Sequence, residues 1–83
     1  MTTTKNTEAR TALRAKVEAR STDDLLVSLA QVYAMPDSRE SVVIASTIAD
    51  VIAAREGIED LMWAQEGTYL EAILTALAIR DAA

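Results

Sequence analysis

The side chains of this chain that could do chemistry are carboxylates and hydroxyls, because His and Cys are both absent. Losing His removes the commonest general base and metal ligand, and losing Cys removes thiolate chemistry and any disulfide. Ser38, Ser41 and Ser46 have no imidazole to activate them, and Lys5 and Lys16 fall in the N-terminal segment, away from a core that could activate an amine. The adjacent carboxylates Asp23-Asp24 and Glu59-Asp60 diverge by about 100° on a helix, so neither pair converges on one reacting atom. With Gly57 and Gly67 as the only glycines there is no phosphate-cradling loop, and no oxygen-rich calcium loop is present. The sequence therefore reads as non-enzymatic, with no catalytic residue, cofactor or metal.

What remains is binding. Residues 1–20 hold five basic residues against two acids, whereas residues 21–83 hold three against eleven, so a basic leader precedes an acidic body of the net −5 chain. Two surfaces are candidates. Arg10, Arg14, Lys16 and Arg20, with Trp63, could meet a protein partner. Ile44, Ile48, Val51 and Ile52 could pair two copies as a homodimer. No run approaches the roughly 18 apolar residues of a membrane span, and the first residues lack the apolar stretch of a signal peptide, so a cytoplasmic setting is expected.

These residues must be held by helices. One proline and two glycines are too few punctuators for short strands and tight turns, and with three aromatics and no Phe the core falls to Ala, Leu, Ile and Val. The pattern predicts an all-α bundle of four or five helices, at about 7–19, 22–34, 38–55, 58–65 and 69–80. These make one domain over 7–80, flanked by flexible segments 1–6 and 81–83.

The first helix has a narrow apolar stripe, Ala9, Leu13 and Val17, with Arg10 and Arg14 on one side and Lys16 and Arg20 on the other. It reads as a peripheral helix laid on its own acidic body, or as a basic arm for an acidic partner. Ser21 and Asp24 form a capping pattern for the second helix, Leu25, Leu26, Leu29, Val32 and Tyr33 give it one buried face, and Pro36 ends it. Asp37 and Glu40 repeat the capping pattern for the third.

The third helix contains the run Val42-Val43-Ile44, but Ile44, Ile48, Val51 and Ile52 keep helical spacing, and with Val42, Ala45, Ala49 and Ala53 the apolar arc spans roughly 200°. Such a helix is central or faces a second subunit. Arg55, in its last turn, complements the helix dipole and can pair with Glu59. Gly57 either ends the helix as a left-handed residue or merely kinks it, since Ile58, Leu61 and Met62 stay nearly in phase with Val51; a break is expected. The short segment behind it holds Trp63, a packing anchor or, if exposed, a binding hot spot. Thr68 and Glu71 form a capping box before the stripe Leu70, Ile73, Leu74, Leu77 and Ala78.

Two alternatives follow from this outline. The second and third helices, joined around Pro36, could form a helix-turn-helix, making the chain a small DNA-associated regulator that uses its basic N-terminal helix; the acids Glu40, Asp50 and Glu56 on the would-be recognition helix oppose this. Asp37-Ser38 at a helix start resembles part of the phosphopantetheine site of acyl carrier proteins. Arg39 and Glu40 depart from that family where an apolar residue should follow the Ser, and the helix at 22–34 occupies its long loop.

The segments Ser21-Thr22-Asp23-Asp24-Leu25-Leu26, Ile48-Ala49-Asp50-Val51-Ile52 and Thr68-Tyr69-Leu70-Glu71-Ala72-Ile73-Leu74 resemble those of small helical accessory proteins of unknown function encoded by actinobacterial phages and plasmids. The resemblance covers residues 21 to about 77 and carries no site residues. It implies an accessory role exerted by binding or inhibiting a host or phage protein, and it implies no reaction.

Overall fold

Capping side chains, one proline and one left-handed glycine set the element boundaries in the computed structural model, which describes residues 2–83, with side chains from residue 8 onward. Five helices follow: α1 (Thr2–Glu18), α2 (Thr22–Ala34), α3 (Arg39–Glu56), α4 (Glu59–Trp63) and α5 (Tyr69–Ala82). The chain is all-α, with no strand among the described residues.

Ser21 caps α2 by accepting the Asp24 N–H at 3.2 Å, and the two acids that follow sit at the positive end of the helix dipole. Pro36 holds Met35 in extended geometry (φ −89°, ψ 158°), which stops α2. The cap of α3 differs from expectation. Ser38, not Asp37, occupies it: the Ser38 hydroxyl accepts the Ser41 N–H at 3.1 Å, and the Ser41 hydroxyl accepts the Ser38 N–H at 2.9 Å. Ser can take the role that Glu or Gln usually plays because its short side chain sits directly over the cap; the same Ser41 hydroxyl donates to the Ser38 carbonyl, so this buried polar group is satisfied.

Gly57 ends α3 in the left-handed region (φ 65°, ψ 33°). The Gly57 and Ile58 N–H groups both bond to the Ala53 carbonyl, and Ile58 is then driven fully into the core. The break expected at Gly57 is therefore real, and α4 behind it is shorter than the 58–65 segment expected. At the outer ends the helices run further than expected. The backbone of 2–6 is helical within α1, Met1 lies outside the described residues, and α5 continues through Ala82.

α3 is the centre of the bundle, packed by α1, α2, α4 and α5. Its alanines Ala45, Ala49 and Ala53 are buried, as are Ala72 and Ala76 of α5, so small side chains let the helix backbones approach closely. The larger core residues are Leu25 and Leu29 from α2, Ile48, Val51 and Ile52 from α3, Ile58 and Met62 from the α4 region, and Ile73 from α5. This corrects the self-association surface: Ile48, Val51 and Ile52 are buried within one chain and Ile44 is half-buried against the same core. Four neighbours, one of them the full-length α1, cover the roughly 200° arc except at its Val42 edge, which stays exposed. The wide arc marks a central helix, not a subunit interface.

Candidate functional site

With the α3 arc spent inside, the apolar side chains left outside are few. Val27, Tyr33, Met35, Val42, Trp63, Leu74 and Ile79 are the large exposed ones, and two of these belong to one cluster. Tyr33 stands at the end of α2, Trp63 at the end of α4 and Tyr69 at the start of α5, and both Tyr33 and Trp63 contact Tyr69. The Tyr33 hydroxyl accepts the Tyr69 N–H at 2.9 Å, and the Trp63 and Tyr69 rings meet edge to face, centroids 6.1 Å apart at 89°.

Three chain breaks build this arrangement. Pro36 stops α2 one turn after Tyr33, α4 ends immediately after Trp63, and the Ala64–Gly67 turn, with Gly67 at φ 99°, returns the chain to α5. Thr68 caps α5 by accepting the Glu71 N–H at 3.2 Å, which leaves the Tyr69 N–H as one of the helix's unpartnered donors until the Tyr33 hydroxyl takes it. The reciprocal half of that capping box is not the expected one: the Thr68 hydroxyl donates a hydrogen bond to the Glu71 carboxylate at 3.3 Å.

Trp63 is 59 % exposed and Tyr33 39 %, while Tyr69 is half-buried beneath them. Trp63 is therefore not a packing anchor. Ile58 and Met62, four residues apart, fill the core below α4, and Trp63, one position on, is turned outward. Carboxylates surround it. Glu59 and Asp60 lie one turn before Trp63 and Glu66 lies in the turn after it; none of the three forms an ion pair among the described residues.

The four cations expected to act together are divided by the Leu13–Val17 seam that docks α1. Arg10 and Arg14 line a shallow groove against α3 with Val43, Ser46, Thr47 and Asp50, whereas Lys16 and Arg20 line a separate cleft beside Leu25, Ser28 and Ile44. Arg14 is also paired with Glu18 at 2.8 Å, and Arg20 reaches the Ser28 hydroxyl at 3.4 Å. Trp63 is not with them: α1 packs on α3, while Trp63 stacks on α5. The candidate residues thus form three separate places, of which the Trp63 place alone combines exposed aromatic area with unpaired charge.

Arg55 and Arg80 are structural. Arg55 does not pair with Glu59; its guanidinium donates to the carbonyls of Arg20 and Glu18, both at 2.6 Å, and so closes the C-terminus of α1. Arg80 donates to the Glu56 carbonyl at 2.9 Å and its carboxylate at 3.2 Å, closing α3 in the same way. Hydrogen bonds to Asp81 first and Glu56 second raise its pKa above the ordinary arginine value, so it stays charged.

Among the described residues no group of three His, Cys, Asp or Glu side chains could hold a metal ion, and no helix is long and apolar enough to cross a membrane. The Ser38 hydroxyl, the point of a carrier-like attachment, serves the α3 cap. For a helix-turn-helix, α3 would have to lie open to a DNA groove, yet it is the most enclosed element.

No family model, curated protein or solved structure matches the chain. The site must be judged from its own geometry. Sequence reasoning singled out Trp63 but missed Tyr33 and Tyr69, which it placed on a core stripe and in a cap. One signal was present: the Ile58–Met62 pair fixes the inward face of α4 and leaves Trp63 about 100° away from it. Nothing in the sequence brings Tyr33 to Tyr69 across 36 residues.

Proposed function

We propose that this chain is a non-enzymatic interaction protein that docks a protein partner on the Tyr33–Trp63–Tyr69 cluster. The observation that carries the reading is the convergence of every aromatic residue of the chain on one partly exposed spot, in a protein whose core is built almost wholly of aliphatic side chains. Trp and Tyr dominate protein-binding hot spots because they bury large area with few rotatable bonds. Tyr69 packs against the core, and Trp63 and Tyr33, exposed beside it, are the aromatics left for a partner.

The resemblance of residues 21 to 77 to phage- and plasmid-encoded accessory proteins supports an accessory role, binding or inhibiting a host or phage protein in the cytoplasm. The proposed unit is the single chain, since the apolar arc that motivated a homodimer is internal. The test is affinity capture from the cells that encode it, using wild-type and Trp63→Ala proteins of matched folding by circular dichroism. A protein retained by the first and lost by the second is expected. Equal retention by both would remove the aromatic cluster from the function.

A further inference from the structure

The partner's chemistry can be read from what surrounds the cluster. From Glu56 to Ile79 the chain carries five acids and no Lys or Arg. Glu56 is paired with Arg80, whereas Glu59, Asp60, Glu66 and Glu71 form no ion pair among the described residues, Glu71 being engaged only by the neutral Thr68 hydroxyl; Glu59, Asp60 and Glu66 flank Trp63 along the chain. A cation brought there gains Coulomb energy from these carboxylates and a second attraction from the face of an exposed indole. An anionic ligand, whether phosphate backbone or acidic lipid surface, is repelled instead.

The shape of the surface narrows the partner further. No strand among the described residues offers an edge on which an extended peptide could add main-chain hydrogen bonds. The cluster lies where α2, α4 and α5 meet, and the ridges and grooves of helices receive another helix best. A second copy of this chain supplies a poor one. Its basic element is α1, whose two large apolar residues among the described side chains, Leu13 and Val17, are already packed on its own core, leaving only Ala9, Ala12 and Ala15 outward.

We infer that the Tyr33–Trp63–Tyr69 surface receives a basic amphipathic helix of a different protein, its aliphatic face on Trp63 and Tyr69 and its Lys or Arg residues over Glu59, Asp60 and Glu66. The inference rests on the reading of this cluster as a docking site. It adds the sign of the partner's charge and its secondary structure.

The test uses the full chain and three fluorescein-labelled synthetic peptides: an amphipathic Leu/Lys helix of about four turns, the same residues scrambled to destroy the apolar face, and a Leu/Glu helix of equal length. Fluorescence anisotropy is read at about 50 mM and about 500 mM salt, where screening lengths differ severalfold. The Leu/Lys helix is expected to bind at least about tenfold more tightly than either control, and to lose about tenfold on Trp63→Ala, as hot-spot truncations do. The Glu59→Gln, Asp60→Asn double variant, which leaves the aromatic cluster intact, is expected to flatten the salt dependence.

Equal binding of the scrambled or Leu/Glu peptide, an unchanged affinity in Trp63→Ala, or no binding at all overturns the inference. Trp63-dependent self-association in sedimentation would replace the foreign helix by a second copy. If the Leu/Lys helix fails while Trp63-dependent capture from cells persists, the docking site stands and only the partner's chemistry is wrong. If both fail, the site itself falls.

Discussion

At the residue scale, the consequences of exposure and burial separate side chains of similar size. Trp63 is the largest side chain of the molecule, yet it hangs outside the core and touches Tyr69 by its edge. Trp63→Ala is therefore expected to cost about 1 kcal/mol or less, the value of one aromatic pair, measured by urea denaturation. A loss above about 3 kcal/mol would show that the indole supports the core. Gly57 makes the opposite case. A methyl group at this position meets nothing within 4 Å, so sterics allow it, but φ of 65° does not suit an L residue. Gly57→Ala should destabilise by about 1 kcal/mol, lowering Tm by roughly 4–8 °C in a domain of this size. Unchanged Tm would mean that the left-handed turn is not what ends α3.

At the element scale, α3 holds the bundle together, and its interior faces predict large effects. Ile52 is fully buried on the helix that all others pack against, so Ile52→Ala should cost about 2–5 kcal/mol, comparable to the whole stability of so small a domain. Loss of the cooperative thermal transition is the expected readout. A second dependence runs from α3 to α1. Arg55 is the side chain that closes the α1 C-terminus, reaching two carbonyls 35 and 37 residues away. Arg55→Met keeps the apolar stem and removes the donors. We expect a loss of about 1–2 kcal/mol, the value of charge-assisted hydrogen bonds at a partly exposed site, with faster amide exchange concentrated in residues 14–20. Uniform exchange throughout would contradict a local cap. α1 is the element most open to such loosening, since only Leu13 and Val17 among its described side chains join the core.

At the scale of the whole molecule, the basic residues lie mainly on α1, packed on one side of α3. Among the described residues, acids without an ion pair stand at the starts of α2 and α3 (Asp23, Asp24, Asp37, Glu40), at Asp50, and in the α4 region (Glu59, Asp60, Glu66). Because the wide apolar arc is covered inside one chain, the protein is expected to sediment as a monomer at about 50 μM, well above the range where a functional dimer would form. A dimer at that concentration would require a surface other than Ile44, Ile48, Val51 and Ile52. The exposed aromatic cluster would be the first place to look.

Much of this architecture follows from local rules. Ser21, Pro36, Gly57 and Thr68 start or stop helices through their own backbones, and the Leu25, Leu29, Val32 spacing is buried as periodicity requires. Such features depend on residues within one turn of each other and are legible from the order of residues, as is the absence of imidazole and thiol. The cap of α3 was misplaced by one residue because Asp and Ser are both good caps and only the Ser41 hydroxyl chooses between them. Longer-range facts were decided by the tertiary structure alone. Periodicity shows that an arc is apolar, not whether its neighbours or a second subunit will cover it. That depends on packing, and packing buried the candidate dimer face. The same packing carried Tyr33 to Tyr69 and turned Trp63 outward, which joined three scattered aromatics into one surface. No local rule could place them there, because the contacts span three helices and 36 residues of chain.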